Sequence, residues 1–124
     1  MDGVSGGRLV DAASAPPVGE RTQVLVTAHG FTVEQILSGR LDAPVDDDQE
    51  HDEWVVVLEG GAVLEIDGEE RTMVRGDWLL LPARVPHRVL STQIGTSWLA
   101  VRGQRGSDDH AGGVRASSEQ RSNG

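Results

Sequence analysis

The sequence predicts an all-β barrel or sandwich, and three observations carry that prediction. About eight short β-prone runs follow one another at roughly 8–12-residue spacing. Gly or Pro stands between most of them. No segment carries a long helical period, and no repeat of the propeller or solenoid kind is present.

The elements follow in order. Thr22 to Ala28 is the first β-prone run, and His29-Gly30 breaks it. Phe31 to Ser38 reads as a second strand, although Val33-Glu34-Gln35-Ile36-Leu37 also suits a helical turn. Gly39 to Val45 is a connection. Gln49 to Leu58 is the expected central strand, closed by Gly60-Gly61. Ala62 to Asp67 follows, and Asp67-Gly68 is a strong hairpin signal that returns the chain through Glu69 to Val74. After Arg75-Gly76-Asp77 come Trp78 to Leu81, the loop Pro82 to Pro86, the strand His87 to Thr92 and the closing run Thr96 to Val101.

Composition bounds the rest. The chain has 124 residues, which suits one domain. Met1 to Glu20 and Gly103 to Gly124 are rich in small and polar residues, so both are expected to be disordered tails. The expected domain is 21–102, roughly 80 residues, whose modest core favours a homodimer. A net charge of −9 argues against nucleic acid and against anionic membranes as partners. With neither a secretory h-region nor a spanning apolar run, the expected location is cytoplasmic. There is no Cys, Lys or Tyr, which excludes a thiolate nucleophile, a lysine Schiff base and a tyrosine acid. Four His, the carboxylates, hydroxyls and Arg remain.

Those groups concentrate in Asp46 to Glu53. Alternate side chains of a strand share a face. If this segment is extended, Asp47, Gln49, His51 and Glu53 point one way, ahead of the apolar Val55 and Val57, while Trp54 points the other. A metal needs a further ligand from another strand, and His87 is the natural candidate because the Pro82–Pro86 loop delivers it at a strand start. His51, Glu53 and His87 would make two histidines and one carboxylate, a set that suits Fe(II), with Mn, Ni or Zn as alternatives. Arg40, Arg84 and Arg88 flank the expected mouth and could bind a carboxylate or phosphate of a substrate.

Two blocks resemble those of the cupins. Glu53, the six residues Trp54 to Glu59, and Gly60 match the second half of the first cupin block. Gly76, Pro82 and His87 match the second block, with Arg84 where a Gly is usual and Ser91 where an Asn is usual. The resemblance implies a small RmlC-like jelly-roll β-barrel, commonly dimeric, with a metal site inside. The two histidines of the first block should fall at Asp47 and Gln49, and neither is a histidine. Three readings follow. Gln49, Glu53 and His87 hold a divalent metal, with Asp47 or His51 completing it. Alternatively, the pocket binds a small polar molecule by hydrogen bonds without metal, as a binding or sensor barrel. In the third, the acidic segment is a solvated loop and only Glu53 and His87 point inward. With metal, the resemblance implies dioxygenase, isomerase or lyase chemistry.

Overall fold

A computed structural model of the chain describes residues 3–47 and 49–103. Nine antiparallel strands form two sheets. They are β1 (Glu20–Ala28), β2 (Phe31–Ser38), β3 (Val45–Asp47), β4 (Glu53–Glu59), β5 (Gly61–Ile66), β6 (Glu69–Val74), β7 (Trp78–Leu81), β8 (His87–Thr92) and β9 (Thr96–Gly103). One sheet has the order β1-β2-β9-β4-β7 and the other β3-β8-β5-β6. Their inner faces meet in a core of Val55, Val57, Ala62, Leu64, Met73, Leu81, Trp98 and Ala100. This is the expected jelly-roll barrel, and no α-helix occurs among the described residues.

Turn chemistry explains the hairpins. His29 and Gly30 have φ of 52° and 84°, and Asp67 and Gly68 have 51° and 86°, so both hairpins turn on two left-handed residues. The Glu53-to-Gly60 spacing also has a physical cause. Gly60 has φ 83°, and a Cβ there would lie 2.5 Å from Thr96 Oγ1 and 2.8 Å from Thr96 Cα. Only Gly lets β4 pass so close to the start of β9.

The expected second strand, Phe31 to Ser38, is present over those residues, and pairing on both sides, with β1 and β9, overrides its local helical pattern. Two other expectations need correction. The expected central strand begins at Glu53 rather than Gln49, and a short strand, β3, pairs with β8 just before it. Gln49 to Asp52 is instead tied to loops: Arg84 N–H donates to Gln49 O at 2.9 Å and Ala83 N–H to Asp52 Oδ1 at 2.9 Å. The N-terminal segment is the second. Val10 N–H donates to Gln35 Oε1, and Gln35 Nε2 returns a bond to Val10 O, both at 2.9 Å. Gln35 is thereby buried at 1 % exposure and also reaches Ser97 Oγ at 3.0 Å. A Cβ at Gly39 would collide with the Pro16 carbonyl, so the segment lies directly on the end of β2. Polar bonding, not apolar burial, anchors this segment, which is why composition missed it. The expected C-terminal tail lies outside the described residues apart from Gly103, which ends β9.

The inner face is not wholly apolar. Glu34 of β2 keeps 8 % side-chain exposure and pairs with the guanidinium of Arg102 on β9. Removing Arg102 would strand that carboxylate away from water. Arg102→Ala is expected to cost about 3 kcal/mol in urea unfolding, with Glu34→Leu/Arg102→Leu recovering most of the loss. Gly60→Ala is expected to cost about 2 kcal/mol or more, measured the same way, because positive φ and the Thr96 clash add.

Candidate functional site

Strand register defines one end of the barrel. Arg102 stands opposite Thr32 on β2 and Glu53 on β4, Glu53 stands opposite Leu81 on β7, and His87 stands opposite Ile66 and Asp47. Ser38, Thr96 and Glu59 lie at the other end by the same register. An internal cavity of about 80 Å³ runs between the sheets. Its polar lining is Glu53, His87 and, from the start of β1, Glu20, while Ile36, Leu64, Leu81 and Trp98 are among its apolar walls. A larger open depression of about 450 Å³ lies against β6 and β7, but its lining holds no His or Glu.

His87 is 7 % exposed. Its Nδ1 lies 3.2 Å from Val85 O. A carbonyl oxygen can only accept, so Nδ1 carries the hydrogen in this contact. Val85 sits two residues before His87, in the loop the sequence suggested would set the ring's angle. Glu53 enters the cavity from the opposite sheet, on the face it shares with Val55 and Val57. The two groups that line up with the sequence blocks therefore share one cavity.

The other predicted residues are distributed differently. Gln49 and His51 belong to the loop before β4, not to a strand face, and neither lines the cavity. Gln49 Nε2 and His51 Nδ1 are nevertheless buried without a hydrogen-bond partner among the described residues. Asp47 pairs with His87 in the β3–β8 ladder, and its predicted role as a ligand falls on a side chain outside the described residues. Arg40 follows the Ser38 end of β2, away from His87, and faces Asp42 at 3.7 Å. Arg88 alternates with His87, so it points outward, where Asp46 at 2.9 Å and Glu65 at 3.8 Å hold it. Only Arg84, in the loop between Leu81 and His87, stays at the mouth. Its carrier loop is clasped to Gln49.

Glu34 and Arg102 are absent from the candidates the sequence suggested. A signal existed: Glu34 has the parity of Ile36, and Arg102 that of Trp98 and Ala100, so two opposite charges fall on the inner face of neighbouring strands.

Among the described residues, no three His, Asp or Glu side chains lie together as a group able to hold an ion. Glu53 and His87, with Glu20, are the polar groups that line the cavity.

The cupin domain model matches residues 32–101. The chain is similar to a Ralstonia eutropha JMP134 protein provisionally named a mannose-6-phosphate isomerase, at 36 % identity and TM-score 0.66, over 79 % of this chain and 99 % of that one. The KdgF protein of a Halomonas species is 18 % identical with TM-score 0.61, over 73 % of this chain and 84 % of that one. The plu4264 protein of Photorhabdus luminescens is 16 % identical with TM-score 0.64, over 84 % and 92 % of the two chains. At such identities the last two speak for the fold alone. No curated protein matches. The family match covers more than half of the 124 residues and spans both sequence blocks, so the chain belongs to the cupin family.

Proposed function

We propose that this cupin binds a small hydroxylated molecule in its barrel, with His87 and Glu53 as the two groups that hold it and exchange protons with it. One observation carries the reading: a buried imidazole and a carboxylate enter the same cavity from opposite sheets, between apolar walls. The His87 imidazole exchanges a hydrogen bond with a ligand hydroxyl or takes a proton from carbon beside a carbonyl. Glu53 offers a second acceptor across the cavity. Apolar walls exclude water and strengthen both contacts. The name of the Ralstonia relative supports a hydroxylated ligand and isomerase chemistry. At about 80 Å³ the cavity holds the reacting end of such a molecule, well below the roughly 300 Å³ where drug-sized pockets begin. The exposed Trp78 and Leu80 of edge strand β7, with Trp78 6.1 Å from Trp54, support pairing with a second copy.

A divalent ion bound alongside the ligand is the second reading. The buried, unpartnered Gln49 Nε2 and His51 Nδ1 favour it, because buried polar atoms ask for a partner. The Gln49 amide can present its oxygen instead of its nitrogen at that position.

Calorimetric titration with small sugars and hydroxy acids tests the first reading. His87→Ala and Glu53→Gln should each weaken binding by about tenfold or more. Unchanged affinity in both variants would remove these residues from the site. Elemental analysis of the purified protein tests the second. A stoichiometric ion that is lost in both His51→Ala and His87→Ala supports it, whereas an ion retained by the His51→Ala protein shows that His51 is no ligand.

A further inference from the structure

Among the described residues, three other than Gly have left-handed backbone. His29 and Asp67 each precede a Gly in a two-residue hairpin, where that conformation is the ordinary geometry. Arg84 is different. Its φ is 68°, and it stands at the third position of a hydrogen-bonded turn, Val85 N–H donating to Pro82 O at 3.3 Å, where Gly or Asn is the usual residue. A β-carbon in this region crowds the following carbonyl, so a Gly would occupy the position with less strain. The loop joins Leu81 and His87, both of which line the cavity. Arg84 N–H donates to Gln49 O at 2.9 Å, Ala83 N–H to Asp52 Oδ1 at 2.9 Å, and Asp67 N–H to Pro86 O at 3.0 Å. These bonds hold the loop over the mouth. The Arg84 side chain is exposed there.

The two other arginines expected at the mouth, and Arg102, are committed elsewhere. Arg102 neutralises buried Glu34, Arg88 lies outward between Asp46 and Glu65, and Arg40 sits by Asp42 at the far end. The mouth is otherwise acidic, with Glu50 and Asp52 in the facing loop. Arg84 thus adds an exposed positive charge to the loop between two cavity-lining residues, at a backbone position where Gly is less strained.

We propose that Arg84 is a specificity-determining residue that binds an anionic group, carboxylate or phosphate, on the ligand whose hydroxylated end occupies the cavity. This rests on the preceding reading of His87 and Glu53. It divides the ligand in two: a neutral end inside and an anionic end at the surface. The small cavity requires such a division for anything larger than a few atoms.

Calorimetric titration of the full chain with glycerol 3-phosphate, glycerate and glycerol tests it, in the wild type, Arg84→Gly, Arg84→Lys and His87→Ala. The wild type should bind at least one of the two anions about tenfold or more tightly than glycerol. The anion with the larger gain tells phosphate from carboxylate. Arg84→Gly should bind all three alike, and Arg84→Lys should retain part of the preference. The Arg84→Gly protein should also melt at the wild-type temperature or about 4 °C above it, because the strain is relieved. A preference for anions that survives Arg84→Gly overturns the proposal. So does a lower melting temperature, which would show that the side chain serves the loop's own structure. Glycerol affinity unchanged by His87→Ala overturns the reading of the cavity instead, and binding of none of the three overturns both.

Discussion

Burial of Glu34 under the guanidinium of Arg102 sets the conditions at the working end of this barrel. A carboxylate inside a sheet sandwich is tolerable only with a counter-charge. Strand register supplies it: Arg102 of β9 faces Glu53 on one side and Thr32 on the other, one step from Glu34. The inner face of the large sheet is thus apolar from Trp98 to Ala100 and charged beyond. Glu53 belongs to that charged end by parity with Val55 and Val57. The site is where the apolar core stops, and the stopping point is written in the alternation of β2, β4 and β9.

The small sheet contributes a different kind of constraint. His87 is the first residue of β8, so its ring angle depends on the loop before it as much as on the strand. The Val85 carbonyl fixes which ring nitrogen carries the proton. That loop is in turn fastened to Gln49 and Asp52 by backbone and side-chain bonds. Asp52 also receives the Gly103 N–H at its carbonyl, which links the same loop to the end of β9. The acidic segment that looks like a row of ligands in the sequence therefore acts largely as a clasp between the two sheets.

Much of the fold was legible because its signals are local. Asp67-Gly68 and His29-Gly30 announce their hairpins, and positive φ at Gly60 and Gly76 explains the glycines of the two blocks. Glu53 and His87 were legible for the same reason: each stands at a strand start with a defined parity. Gln49 and His51 were misplaced because alternation was extended backward through residues that have no ladder partner. Nothing in local propensity tells a strand's first paired residue from the loop before it. Arg40 and Arg88 were assigned to the mouth by sequence proximity. Arg40 follows the opposite end of β2, and the parity of Arg88 relative to His87 already pointed it outward. The Val10–Gln35 bond was not legible at all, since a backbone amide meeting a side chain 25 residues away leaves no pattern in composition.

These placements bear on how one scaffold serves different ligands. The cavity walls, Ile36, Leu64, Leu81 and Trp98 among them, belong to strands whose alternation the core demands, so they cannot vary freely. The interior is also small, at about 80 Å³, and its polar groups are few. Discrimination between ligands that share a hydroxylated end must then come from outside the core. The available surface is the pair of clasped loops, Gln49 to Asp52 and Pro82 to Pro86. Their side chains point where strand alternation imposes no sign or size. Arg84 occupies the one position in that pair with left-handed backbone, where a Gly would be less strained. A residue in that situation is better explained by what it binds than by what it supports.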